Sequence, residues 1–141
     1  MPVIPATRQH NDVQIGDQLP ELSIELTVTK IIATAIASRD YQPVHHDQQG
    51  ARERGSKDII MNILTTNGVV GRFVTDWAGP EALVRKIAIR LGVSNYPGDT
   101  MRLTGEVVDK RDGYVEVKIQ GANGRGNHVT GRVRVALPAG V

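Results

Sequence analysis

Cysteine is absent from the 141 residues. That excludes disulfides, thiolate nucleophiles and cysteine-bound zinc or iron–sulfur centres. Aromatic residues are scarce, at 4%, which leaves few platforms for stacking the bases of a single-stranded nucleic acid. Excess charge is missing too. A net charge of +2 is too small to argue for a nucleic-acid partner, although it suits a small anionic ligand such as a nucleotide-bearing cofactor. No apolar run approaches the roughly 20 residues of a membrane span. Residues 1–12 carry Pro2 and Pro5 but no apolar core of signal-peptide length. The expectation is a cytoplasmic protein. Internal repeats and low-complexity segments are also lacking.

What is present is ordinary for one globular domain over residues 1–141, with 40% hydrophobic and 23% charged residues. Residues 1–20 are polar and turn-rich, so irregular structure is expected there. Leu22 to Val28 alternates apolar and polar residues, the pattern of a half-buried strand. Thr29 can cap a short helix over residues 30–38, with Ile31, Ile32, Ala35 and Ile36 as its buried stripe. Residues 52–58 read as a charged loop in which Ser56 or Asp58 can cap the next helix. That helix reads as one long run over residues 59–77, apolar nearly all round and therefore buried. After Gly79-Pro80 the period changes to two. Strands are expected over residues 82–93, 100–108, 114–120 and 129–137, with Leu83, Ile87, Ile89 and Leu91 on one face of the first and the Asp112-Gly113 hairpin signal between the second and third. The fold class is α+β: one long helix against a curved antiparallel sheet. Such a sheet has edges that readily pair with another subunit, and a dimer is expected.

The chemistry is concentrated in Asp40-Tyr41-Gln42-Pro43-Val44-His45-His46-Asp47. A proline turn can bring Asp40 and His45 onto one concave side. A carboxylate and an imidazole converging on one water can share acid and base work near neutral pH. The competing reading makes Asp40 a turn cap and His45 a surface histidine. His46 and Asp47 read as supporting or solvated residues. A metal site built from His45, His46 and Asp47 is not expected, because adjacent side chains diverge and no further ligand cluster exists.

Asp40-x-Gln42-Pro43-Val44-His45, with Ala51 after five more residues, resembles the signature of the MaoC-like (R)-specific enoyl-CoA hydratases. The resemblance extends to the long helix and to the turn Gly98-Asp99-Thr100. Residues 59–66 and 74–80 resemble the branch that holds the small catalytic subunit of actinobacterial steroid side-chain enoyl-CoA hydratases. The resemblance implies a hotdog fold, in which an antiparallel sheet wraps a central helix. It implies that Asp40 and His45 activate water for addition to an α,β-unsaturated acyl-CoA. It implies that a backbone N–H at Asn62, where the family usually has glycine, meets the thioester oxygen. Gln42, for the usual asparagine, and Pro43 would support the turn. Arg39 stands where glycine commonly precedes the aspartate. Coenzyme A is then part of the substrate, and no separate cofactor is implied. Arg39, Arg85, Lys86, Arg90 and Arg102 are candidates for its anionic groups, with a solvated outer face as the alternative. The partner is either a second copy or a second MaoC-like subunit. Two other readings stay open: a noncatalytic hotdog subunit that completes a partner's acyl-CoA site, and a hotdog thioesterase.

Overall fold

The computed structural model describes residues 4–140. Residues 1–3 of the expected irregular N-terminus, and Val141, lie outside that range. Five antiparallel strands form one sheet: β1 (Gln18–Glu25), β2 (Leu83–Leu91), β3 (Thr100–Arg111), β4 (Tyr114–Asn123) and β5 (Gly126–Ala136), in the order β1-β3-β4-β5-β2. Three helices interrupt the run: α1 (Val28–Ala37), α2 (Gln48–Glu53) and α3 (Ile63–Ala78). The sheet wraps α3 in the hotdog arrangement. Val70, Phe73, Val74 and Trp77 of α3 join Met101, Leu103, Val107, Val117, Ile119 and Val133 of the strands in one buried core. Gly105 of β3 makes this approach possible. A Cβ there would lie 2.9 Å from the Phe73 ring and 3.3 Å from Val117.

Several expected boundaries move, each for a local reason. Strand β1 begins at Gln18, inside the stretch expected to be irregular. It is an edge strand, where Pro20 is tolerated because its missing N–H faces no neighbour. The cap of α1 is Thr27, whose side chain accepts the Lys30 N–H at 3.0 Å, and not Thr29. Ile31 and Ala35 of α1 are buried, whereas Ile36 faces solvent. The charged loop is partly helical: Asp47 accepts the Gly50 N–H at 2.9 Å and starts α2.

The largest correction concerns the central helix, which starts at Ile63 and not at residue 59. Residues 59–62 are not helical because other segments take their backbone groups. The Ile60 N–H donates to Val44 O at 3.0 Å, and the Met61 N–H donates to Asn95 O at 3.1 Å. The helix is also not buried all round, since Ile63 and Leu64 are each about half exposed. On β2 the pairing with β5 slips between Val84 and Lys86, which turns Leu83 away from the face that Ile87, Ile89 and Leu91 share; Ile87 and Ile89 are partly buried, while Leu83 and Leu91 are exposed on this edge strand. Among the described residues no helix is long and apolar enough to cross a membrane.

Candidate active site

The end of α1 aims Asp40. The helix closes in a left-handed turn: the Asp40 N–H reaches back to Ala35 O at 2.9 Å and the Arg39 N–H to Ile36 O at 2.9 Å. This is the pairing of a Schellman motif, whose turning residue needs a positive φ and favours glycine. Here that residue is Arg39, at φ 56°. The exposed Arg39 side chain makes no ion pair among the described residues.

The chain then runs through a single 3-10 turn, Pro43–His45, in which Gln42 O accepts the His45 N–H at 3.0 Å. Proline at the first position suits this turn, having the required φ and no donor to leave unpaired. Support from Gln42 comes through its backbone, whose N–H also donates to Asp40 Oδ1 at 3.3 Å. Its exposed side-chain amide, expected to brace the turn, makes no hydrogen bond among the described residues.

The turn brings Asp40 and His45 together. His45 Nε2 lies 3.3 Å from Asp40 Oδ2, with the two side chains 11% and 19% exposed. The pair is sheltered yet reachable by a small molecule. The other ring nitrogen, Nδ1, is 2.7 Å from Ile60 O. A carbonyl can only accept, so Nδ1 carries a proton and Nε2 is the nitrogen free to exchange one. His46 and Asp47 do not join the pair, and Asp47 is occupied as the cap of α2.

Asn62 completes the arrangement. Its side chain, buried at 1% exposure, works at both ends. Nδ2 donates to Asp40 Oδ2 at 3.1 Å and to Ser38 Oγ at 2.9 Å. Oδ1 accepts the Thr65 N–H at 3.2 Å, which makes Asn62 the N-cap of α3, and also accepts the Thr65 hydroxyl. The Asn62 amide beside Asp40 holds its carboxyl below the usual carboxylate range; partial burial opposes this, while the Gln42 N–H and the charge of His45 reinforce it. The backbone N–H of Asn62 finds no acceptor among the described residues. As the N-cap residue, Asn62 sits at the positive end of α3, and its side chain ties that end to Asp40.

A positioned carboxylate, an imidazole with one free nitrogen and unpaired N–H groups at a helix start are together suited to water activation beside a developing oxyanion. Residues 12–127 match the family model described as the MaoC like domain. The chain belongs to the MaoC-like domain family. It is 50% identical over 123 residues to the 3-oxo-4,17-pregnadiene-20-carboxyl-CoA hydratase beta subunit of Mycobacterium tuberculosis, covering 87% of this chain and 95% of that one. It resembles a chain in the crystal structure of the ChsH1-ChsH2 complex from Mycobacterium tuberculosis with a TM-score of 0.86 and 49% identity, covering 88% and 98% of the two chains. An (R)-hydratase from A. caviae shares the fold at a TM-score of 0.83 and 19% identity, with coverage of 90% and 98%.

Within this MaoC-like chain, the other basic candidates sit apart from the pair. Arg85, Lys86 and Arg90 lie exposed on the edge strand β2. Arg102 is taken up in an ion pair with Glu21 at 3.3 Å across β3 and β1. A groove of about 340 Å³ between α1 and α3, lined by Ala37, Ser38, Leu64, Thr65, Gly68 and Val69 among others, borders Asn62. Sequence reasoning named Asn62 for its backbone and missed its side chain. The signal was available: an asparagine three residues before Thr65, just ahead of a helical run, is an N-cap pattern.

Proposed function

We propose that this chain is an enoyl-CoA hydratase that adds water across the double bond of an α,β-unsaturated acyl-CoA with a bulky, steroid-like acyl group. The observation that carries this reading is the Asp40–His45 pair held together with Asn62 at the start of α3. Half-identity to a steroid-CoA hydratase subunit supports the acyl group.

In this mechanism the water lies beside the Asp40–His45 contact, within hydrogen-bond reach of both side chains. As its oxygen bonds to the β-carbon, an O–H bond breaks and the proton passes to the Asp40–His45 pair. The π electrons move into the thioester, whose oxygen is met by the free N–H groups at the start of α3, that of Asn62 first. The pair then returns a proton to the α-carbon. Protons balance and no electrons leave the substrate, so the addition needs no redox cofactor, and coenzyme A serves only as the acyl carrier. Ser38 and Thr65 link the site to the groove between the helices, which offers apolar room for part of the acyl group. The reading places the protein in the cytoplasm with its acyl-CoA substrate.

The partner in this reading is a second hotdog domain docked along β2. That edge lacks proline and exposes Leu83, Val84 and Leu91, whereas the β1 edge carries Pro20. One relative of known structure lies in the ChsH1-ChsH2 complex, which favours a heteromer. An intact Asp40–His45–Asn62 arrangement argues against a noncatalytic subunit. The deciding assay is hydration of an enoyl-CoA by the purified complex. Asp40→Asn and His45→Ala should each lower turnover by about 10²–10⁴-fold with the fold intact. Undiminished turnover in both would end the assignment, and release of free thiol would indicate a thioesterase.

A further inference from the structure

His128 is a buried titratable residue that no step of the hydration uses. It is 3% exposed and lies on β5. Its Nδ1 is 2.7 Å from Val93 O, and its Nε2 is 2.8 Å from the hydroxyl of Thr66, which is fully buried in α3. The carbonyl of Val93 only accepts, so the proton sits on Nδ1 and the Thr66 hydroxyl donates to Nε2. Burial pushes the imidazole below its usual range, which keeps Nε2 an acceptor at neutral pH. A second tie runs in parallel, from the Met61 N–H to Asn95 O at 3.1 Å. The stretch 61–66 is therefore fastened to residues 93–95 and to β5 on both sides of Asn62.

The helix does not need this bond for its own satisfaction. Asn62 already caps the Thr65 N–H, and Asn62 O accepts the Thr66 N–H at 3.2 Å. Nor is a polar pair the favoured way to fill a core, since two buried polar groups recover little beyond their desolvation cost. What the pair adds is direction. A hydroxyl bonded to a ring nitrogen fixes the rotation of the first turn of α3 in a way that two apolar side chains would not.

We propose that Thr66 and His128 are positioning residues for the hydration chemistry: their hydrogen bond sets the first turn of α3, and thereby holds Asn62 against Asp40 and the free N–H groups toward the thioester oxygen. This rests on the hydratase reading for its kinetic consequences but not for its structural one. In Thr66→Val, which keeps shape and loses the donor, kcat should fall about tenfold or more with KM little changed, since misplacement by an ångström costs up to about 10²-fold. Asp40, tracked directly by carboxyl-carbon NMR without substrate, should titrate at higher pH as its Asn62 bond loosens. Thr66→Ser should restore both values. His128→Asn, which can still bond Val93 O, should behave like Thr66→Val, and the double variant should be no worse than either single one.

A folded Thr66→Val or His128→Asn with wild-type kcat and wild-type Asp40 titration overturns the proposal. So does loss of the fold in both, because the bond would then serve stability alone. A wild-type protein that hydrates no enoyl-CoA sinks the hydratase reading instead, and the Asp40 titration still tests the positioning.

Discussion

Asn62→Asp separates the two roles of Asn62. The substitution is nearly isosteric, and aspartate caps helices as well as asparagine does, so the Thr65 N–H keeps its acceptor. The other end of the side chain reverses its character. In place of an amide donating to Asp40 Oδ2 at 3.1 Å there is a second carboxylate at that distance. Two carboxylates about 3 Å apart share one proton, because they cannot both ionise at ordinary cost. Asp40 then loses the donor that positions it and faces a like charge instead. Turnover should fall by about 10²–10⁴-fold, the usual worth of a general acid–base group.

Stability gives an independent reading, with a sign that can be checked. In the wild type the Asp40 carboxyl is held below its ordinary value of 3.8. Its contribution to stability is present above that ordinary value and is lost as pH falls through the lower folded-state value. In Asn62→Asp the shared proton raises the folded-state value above the unfolded one. The variant is then relatively most stable below the unfolded value and is penalised as pH rises through the raised one. Denaturant titrations at about pH 4 and pH 8, with hydration monitored by loss of the conjugated thioester absorbance, check both points. Wild-type turnover at pH 7, together with a variant-minus-wild-type stability difference that does not become less favourable as pH rises, would refute the account of Asn62.

The same geometry sets two further outcomes. Arg39→Gly should raise stability by roughly 0.5–1 kcal/mol, because relief of a left-handed non-glycine backbone outweighs the entropy of the added glycine; chemical denaturation measures it, and a loss would count against the strained-turn reading. Leu83→Lys with Leu91→Lys on β2 should convert the complex purified from its native host into single chains by native mass measurement, and an unchanged complex mass would move the interface elsewhere.

The working pair was legible in the sequence because its information is local: a proline turn between Asp40 and His45 fixes their approach within six positions. The strands after Pro80 were legible for a similar reason, since alternation and the Asp112-Gly113 turn are short-range signals, and β3, β4 and β5 lie where the alternation puts them. The start of α3 was not legible. Ile59, Ile60 and Met61 continue the apolar pattern of the helix, and periodicity alone cannot tell a short apolar extended stretch from a helical turn. What decides it is the pairing of Ile60 with Val44 and of Met61 with Asn95, contacts that are distant in the chain. His128 was hidden by a register shift. The pairing of β4 with β5 slips between Gly121 and Ala122, so that consecutive residues His128 and Val129 are both buried, against the alternation that strand reading relies on.

The stretch from Ile60 to Asn62 contains no titratable group, yet it governs the protonation of two. The Ile60 carbonyl decides which nitrogen of His45 is free, and the Asn62 amide favours the charged form of Asp40. None of these three residues gains or loses a proton itself. The readiness of the pair is in that sense a mechanical property: one short backbone path carries both contacts, so a displacement of this segment moves the partner of each group.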